Sequence, residues 1–180
     1  MRQKTLRHFC GLLLSIGLLH SVVSLADPLE AIESTYRQIN DLGKDEVYLP
    51  AYTVHGAWAY SYERRKELNA YPLGAGFGRG ISNDKGDWKG IYAMGFMDSH
   101  HNLQPVIGYG QSWNILGDNV NHINLGYTAF VTARQDIASY TPLPGLLPVI
   151  SGTVDKSYTL AGTFIPVANV FFFWGRTTFQ

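Results

Sequence analysis

The stretch GFMDSHHNLQP, at positions 95–105, places an acid, a hydroxyl and two imidazoles next to one another as Asp98, Ser99, His100 and His101. Successive residues of a β-strand point to opposite faces, so Asp98 and Ser99 can serve one site only where the strand has ended. Asp, Ser and Asn also favour reverse turns through their own hydrogen bonds. The stretch is therefore compatible with a turn and with part of a catalytic site.

A catalytic interpretation requires a general base from another part of the chain. His55, in AYTVHGAWAY, lies near the end of the first strand candidate and before a polar loop. Histidine is the side chain whose pKa suits proton transfer near neutral pH. A single histidine in a strand also has structural roles, so that alternative stays open. His100 and His101 are adjacent and no third ligand has a recognisable spacing, so the sequence predicts no metal site.

The N-terminus has the features of an export signal. Basic residues precede an apolar run from Phe9 to Leu19, and small residues end at Ala26. The run is shorter than the ~20 residues of a spanning helix, which favours cleavage of a signal peptide, residues 1–26, over a membrane anchor. The remaining 154 residues carry 11 basic and 14 acidic side chains, a formal charge of −3, which argues against strong nucleic-acid binding. The single cysteine, Cys10, lies in this signal, so no disulfide is expected.

Residues 27–43 are predicted to form an amphipathic helix. Apolar side chains recur near helical spacing, and Gly43 follows as a C-terminal cap. A helix packed on a soluble core and a helix lying at a membrane interface both fit this pattern. The apolar positions are Leu29, Ile32, Tyr36, Ile39 and Leu42.

Residues 44–180 are predicted to form a barrel. Glycine, aromatic and β-branched residues alternate with polar breaks, and no 18-residue apolar run occurs after the signal. The breaks separate eight strand candidates: Glu46–Tyr60, Leu73–Ile81, Trp88–Met97, Leu103–Asn114, His122–Arg134, Leu146–Thr153, Tyr158–Pro166 and Asn169–Phe179.

The faces of these strands indicate the surroundings of the barrel. INLGYTAFVTAR alternates between an apolar face and a mostly polar face, whereas GIYAMGFM is apolar on both. A strand of the second kind suits lipid outside and an apolar interior, here lined by Tyr92, Met94 and Phe96. The sequence therefore predicts an all-β fold, an eight-stranded antiparallel transmembrane β-barrel with an N-terminal amphipathic α-helix. A soluble lipocalin-like barrel is the alternative.

Six blocks follow one another in a distinctive order: YTVH, PLGAGFG, DWKGIYAMGFMDS, QPVIGYG, LGYTAFVTAR and PLPGLLPVIS. After a signal and an amphipathic helix, this order closely resembles the lipid A palmitoyltransferase family of the Gram-negative outer membrane. The resemblance implies a monomeric enzyme without cofactor or metal. It would move a palmitoyl chain from the sn-1 position of a phospholipid to the hydroxymyristoyl chain of lipid A, the lipid anchor of lipopolysaccharide.

The resemblance also implies roles for individual residues. It places His55, Asp98 and Ser99 at the extracellular rim as the catalytic residues. We expect His55 to be the general base, Asp98 to orient the imidazole or an acceptor group, and Ser99 to be a hydrogen-bond donor or a nucleophile. Direct transfer and a covalent acyl-enzyme both remain open.

Further family positions concern the lipids. Gly110, in IGYGQ, matches the glycine that forms the floor of the acyl-chain well. Pro50 and Pro72, and likewise Pro148 and Pro166, match prolines that remove ladder donors and leave lateral gaps for lipids. Ordinary prolines at strand starts are the simpler account of these four. A non-catalytic barrel and an outer-membrane phospholipase are the rival functions.

Overall fold

The computed structural model describes residues 28–179, which form one N-terminal helix and a closed barrel of eight antiparallel strands. Each strand pairs with its neighbours in sequence, and the last strand pairs with the first. The all-β barrel with an N-terminal helix is thereby confirmed. The proposed signal peptide, residues 1–26, lies outside the described residues. The elements are α1 Pro28–Leu42, β1 Lys44–His55, α2 Tyr62–Glu67, β2 Gly74–Ser82, β3 Trp88–Met97, β4 Leu103–Gly117, β5 His122–Thr132, β6 Leu143–Val154, β7 Tyr158–Ile165 and β8 Val170–Thr178.

Helix α1 ends where the sequence predicts, because the Gly43 N–H donates to the Ile39 carbonyl at 2.9 Å. Ile39 is fully buried, whereas Ile32, Tyr36 and Leu42 on the same apolar stripe are more than half exposed. Of these four residues, only Ile39 therefore packs on the barrel. In residues 28–179 no helix has the length and apolar character needed to cross a membrane.

The two ends of the barrel differ. The loop end carries residues 56–73, 98–102, 133–142 and 166–169, and the helix end carries α1 and the shorter turns between the other strands. Along β5 the polar Asn124 and Thr128 are buried, whereas Leu125 and Val131 are exposed, so the polar face points inward. Large apolar residues on the outer surface include Leu49, Phe77, Ile107, Trp113, Leu125, Leu146, Ile150, Leu160 and Phe171.

The interior changes character along the barrel axis. Towards the loop end it is apolar, with the buried rings of Phe96 and Phe172 stacked at 5.2 Å. Towards the helix end it is polar, and buried Asn124 donates to the Ser112 hydroxyl at 3.1 Å. The predicted apolar interior is therefore restricted to one half of the barrel. The other half is filled by hydrogen-bonded side chains, as a closed small barrel requires.

Two neighbouring strand pairs separate before they reach the loop end. β1 and β2 pair only from Lys44↔Gly80 to Tyr48↔Gly76, which leaves Leu49–Tyr52 without β2 partners. We call this gap the first seam. Pro50 lies within it, and Pro72 lies just before β2. A proline has no N–H for a strand ladder, which is consistent with the end of pairing here.

The second seam lies between β6 and β7. These strands pair from Val154↔Tyr158 to Ile150↔Gly162, and no β7 partner faces Leu143–Val149. Pro148 lies in this unpaired part of β6, and Pro166 follows β7 directly. A side-chain bond, from the Thr163 hydroxyl to the Pro148 carbonyl at 2.6 Å, crosses the seam.

One strand boundary differs from the prediction in a way that affects the site. The first strand was expected to run Glu46–Tyr60, but β1 ends at His55. A turn follows, in which Ala59 and Tyr60 donate their N–H groups to the Gly56 carbonyl at 3.0 and 3.1 Å. The apolar residues after Gly56 mimic a continuing strand, but the chain turns back over the loop end. His55 consequently lies at the rim.

Candidate active site

His55 and Ser99 meet at the loop end of the barrel. The Nε2 atom of His55, the last residue of β1, lies 3.0 Å from the Oγ atom of Ser99, which follows β3. His55 is buried, and its ring packs edge-on against Tyr60 at 5.5 Å. A base within hydrogen-bonding distance of a hydroxyl is the basic unit of general-base catalysis.

Asp98 builds the turn that presents Ser99. Its Oδ1 atom accepts the N–H groups of His100 at 2.8 Å and Asn102 at 2.9 Å. His101 takes the left-handed conformation, with φ of 62°, which closes the turn. The stretch is therefore a reverse turn, and the same turn brings Ser99 to His55, so the turn is compatible with the catalytic interpretation.

The other carboxylate oxygen of Asp98 points into the barrel wall. Oδ2 is buried and has no hydrogen-bond partner among residues 28–179, and the nearest cation is Arg134, with Nη2 3.8 Å away. Asp98 makes no hydrogen bond with His55. His55 and Ser99 thus form a pair. Asp98 supports this pair by building the turn that carries Ser99, not by holding the imidazole.

Arg134 is a site residue that the sequence analysis did not single out. It follows β5, its side chain is largely buried, and it forms a two-pronged ion pair with Asp136 at 2.9 and 2.7 Å. This hydrogen bonding holds the pKa of Asp136 below its usual range. His100 Nδ1 lies 3.5 Å from the same carboxylate. The only signal in the sequence was the place of Arg134 on the polar face of LGYTAFVTAR.

Asn69, in the loop between β1 and β2, was also missed. Its N–H donates to the Ser99 carbonyl at 3.0 Å and its side-chain amide to the Asp98 carbonyl at 3.3 Å. Its own carbonyl accepts the Thr53 hydroxyl at 3.1 Å. Asn69 thus connects the strand that carries His55 with the turn that carries Ser99.

An internal cavity lies below this pair. Its lining includes Tyr92, Gly110, Val149, Trp88 and Trp174. Gly110 faces inward between Gly90 and Thr128 on the neighbouring strands, and a Cβ atom built there would lie 2.8 Å from the Trp88 ring. Gly110 is seven residues along β4 from Leu103, roughly 23 Å of strand at about 3.3 Å per residue.

The four predicted prolines lie at the two seams, and the adjacent histidines His100 and His101 lie in the turn after Ser99. Pro50 and Pro72 flank the first seam, and Pro148 and Pro166 flank the second. His100 and His101 are both exposed, and His100 also faces Asp136. Across residues 28–179, no three His, Cys, Asp or Glu side chains converge in a way that could hold a metal ion.

Comparison with known proteins agrees with this geometry. A family described as "Antimicrobial peptide resistance and lipid A acylation protein PagP" matches residues 35–176. The chain is 36% identical over 155 residues to "Lipid A acyltransferase PagP" of Methylobacillus flagellatus, covering 82% of this chain and 84% of the relative. It is 39% identical over 147 residues to the protein of that name from Bordetella pertussis, covering 79% and 80%.

A further relative is "Lipid A palmitoyltransferase PagP" of Escherichia coli O6, 42% identical over 140 residues that cover 74% of each chain. The matched segment contains the whole barrel from β1 to Arg176 in β8, and with it the His–Ser pair, the turn at Asp98 and both seams. The chain belongs to the PagP family of lipid A acylation proteins.

Proposed function

We propose that this protein transfers a palmitoyl chain from the sn-1 position of a phospholipid to the hydroxymyristoyl chain of lipid A. The observation that carries the proposal is the His55–Ser99 pair, 3.0 Å apart at the rim of a barrel whose adjoining interior is apolar. A polar reactive pair above an apolar interior suits a substrate with a reactive head and a long hydrocarbon tail. The names of the relatives, a lipid A acyltransferase and a lipid A palmitoyltransferase, support lipid A as the acceptor.

The site of action that we propose is the outer membrane of a Gram-negative bacterium. Large apolar side chains cover the outside of the barrel, and a closed sheet satisfies its backbone without water. The exposed apolar stripe of α1 suits the membrane interface on the helix-end side. The chain acts there as a monomer, since its eight strands close the barrel alone.

The two seams are the proposed lateral passages for lipids. Both open between strands at the loop end, the end of the barrel that carries His55 and Ser99, and the first seam borders β1 itself. A backbone without ladder partners leaves room for an acyl chain to pass from the membrane into the interior. The prolines Pro50, Pro72, Pro148 and Pro166 keep the strands from pairing there, because they have no N–H to donate.

His55 is the general base in the mechanism that we propose. The acceptor hydroxyl gives its proton to His55 as its oxygen attacks the ester carbonyl of the donor. The bond between the carbonyl carbon and the glycerol oxygen then breaks, and the proton returns from His55 to that oxygen. Ser99 is close enough to donate a hydrogen bond to the carbonyl oxygen on which negative charge develops.

Direct transfer suits this site better than a serine nucleophile. A nucleophilic serine works with a base that a third group orients. Here the nearest carboxylate, Asp98, caps its own turn and faces Arg134 instead of His55. Asp98 and Arg134 therefore act on the position of Ser99, and the transferred chain enters the interior with its methyl end at Gly110.

The test is lipid A extracted from cells with the gene, without it, and with a His55→Asn variant. We expect a gain of one palmitoyl mass only with the unaltered gene. Release of free fatty acid without acylated lipid A would indicate a phospholipase, and no change in any lipid would indicate a non-catalytic barrel. The same cells should yield protein in the outer-membrane fraction, without residues 1–26 and with heat-dependent gel migration. Soluble protein without that shift would contradict the membrane assignment.

A further inference from the structure

A buried carboxylate lies at the polar end of the interior, far from the reactive pair. Glu46, on the inner face of β1, is 2% exposed. Its Oε2 atom accepts the Tyr48 hydroxyl at 2.7 Å, and its Oε1 atom accepts the indole N–H of Trp88 at 2.9 Å. Burial of a charge is costly unless it is paired and hydrogen-bonded, so such a group calls for a specific role. The transfer mechanism gives it none.

The same carboxylate is paired with a guanidinium that also touches the tryptophan. Arg176 Nε lies 3.5 Å from Glu46 Oε1, and the Arg176 guanidinium carbon lies 3.9 Å from the centre of the Trp88 ring. A cation over the face of an indole is attracted to it, more strongly away from water. Trp88 is thus held at its edge by Glu46 and on its face by Arg176.

Glycines provide the space for this arrangement. A Cβ atom built on Gly90 would lie 2.5 Å from the Trp88 ring, and one on Gly110 would lie 2.8 Å from it. A Cβ atom on Gly80 would lie 2.6 Å from both carboxylate oxygens of Glu46. The indole therefore lies across the interior at the level of Gly110, where the paired residues of β2, β3 and β4 are the glycines Gly80, Gly90 and Gly110.

Trp88 and Arg176 both line the internal cavity, and Glu46 lies behind them on the helix-end side. A hydrocarbon chain that enters from the loop end meets the indole and the Arg176 guanidinium at this level, with the Glu46 carboxylate behind them. Passage beyond the indole would place methylene groups against a buried carboxylate and guanidinium, at the expense of their hydrogen bonds. The depth available to the chain therefore depends on where the indole is held.

We infer that Glu46 is a positioning residue that sets the acyl-chain length by fixing Trp88, with Arg176 as its partner. The inference rests on the proposed acyl transfer and deepens it. Replacement of Glu46 by alanine removes the acceptor of the indole N–H and leaves space beside the ring. The indole can then tilt towards the helix end, and chains longer than the preferred one fit.

The experiment is a competition among acyl donors. Purified full-length protein in detergent micelles receives lipid A and an equimolar mixture of phosphatidylcholines with saturated chains of different lengths, and mass spectrometry gives the lengths transferred. We expect Glu46→Ala to raise the ratio of longer chains to palmitate about fifteenfold, the factor that follows from roughly 0.8 kcal/mol for each of two methylenes. Glu63→Gln, in the exposed helix α2, is the matched control and should keep the original distribution.

Two further variants keep the test decisive if Glu46→Ala does not form a heat-modifiable barrel. Glu46→Gln keeps the shape but sets an amide donor against one of the groups that donate to the carboxylate, and Trp88→Phe removes the indole N–H. Both variants should broaden the distribution of transferred chain lengths. The double variant Trp88→Phe with Glu46→Ala should have a distribution close to that of either single variant. An unchanged distribution in folded Glu46 variants would overturn the inference while the transfer itself stands. Absence of any transfer by the unaltered protein would instead contradict the proposed function.

Discussion

The Nε2 atom of His55 and the Oγ atom of Ser99 lie 3.0 Å apart, although 44 positions separate the two residues in the chain. One comes from the end of β1 and the other from the turn after β3, with β2 between them in the sheet. The contact exists because β1 ends at His55 and the Asp98 turn projects Ser99 over the rim. This contact leads to the first prediction.

Replacement of His55 by asparagine should lower the rate of palmitoyl transfer by about 10²–10⁴, the usual contribution of a general base. Ser99→Ala should lower the same rate by a factor of about 10²–10³, the usual effect of removing one hydrogen-bond donor to an oxyanion. The measurement is transfer from a labelled phospholipid, with heat-dependent migration as the check on folding. His101→Asn is the control, because asparagine tolerates the left-handed conformation of this exposed residue. An acyl adduct on Ser99 after incubation with donor alone would overturn direct transfer.

Arg134→Gln should reduce transfer roughly tenfold or more, since it leaves the buried Asp98 carboxylate without its nearest cation. The turn that carries Ser99 then loses the positive charge that balances its buried carboxylate. Asp136→Asn should lower the rate of transfer less, because the Asp136 side chain is partly exposed and belongs to the loop after β5. Rates for the two variants should be measured across pH. A larger loss in Asp136→Asn than in Arg134→Gln would show that the loop ion pair, not Asp98, is what Arg134 supports.

Gly110→Met should fold, remain active and prefer an acyl chain several carbons shorter than palmitate. A side chain here must displace the Trp88 ring or fill the space beside it. Each methylene that cannot enter forfeits about 0.8 kcal/mol, so two should cost about 1.6 kcal/mol in selectivity against palmitate. Gly152→Met is the control, because a Cβ atom there meets nothing within 4 Å. Phospholipids of mixed chain length serve as donors, and undiminished palmitate preference would place the floor elsewhere.

Backbone amides along the seams should exchange with solvent faster than those of fully paired strands. Leu49 has a β8 partner but none in β2, and Leu146 and Leu147 have partners only in β5. Amides of β4 and β5 pair on both sides and should be protected longest. Hydrogen exchange in micelles measures this, with β4 as the internal reference. Equal protection along β4 and the seams would mean that the strands pair there in solution.

Much of the fold follows from local patterns, because alternation along β5 and the polar breaks mark strands without knowledge of their partners. The end of β1 does not follow from a local pattern, because the apolar residues after Gly56 continue the alternation of a strand. Only the turn at Gly56 shows that the strand has ended. The site is harder still. The roles of His55 and Ser99 come from resemblance, and their contact requires the closed sheet. Arg134 and Asn69 act through segments that are distant in sequence, so no local pattern reveals them.

The two seams also divide the barrel mechanically. β2 to β6 form one continuously hydrogen-bonded block, and β7, β8 and β1 form another. The ladders between the blocks lie towards the helix end, so we expect any separation of the blocks to hinge there and to open at the loop end. His55 belongs to the three-strand block and Ser99 to the five-strand block. A lipid wedged between the blocks therefore separates base from hydroxyl, and we expect the reactive geometry to return only when the lipid has passed and the blocks have closed.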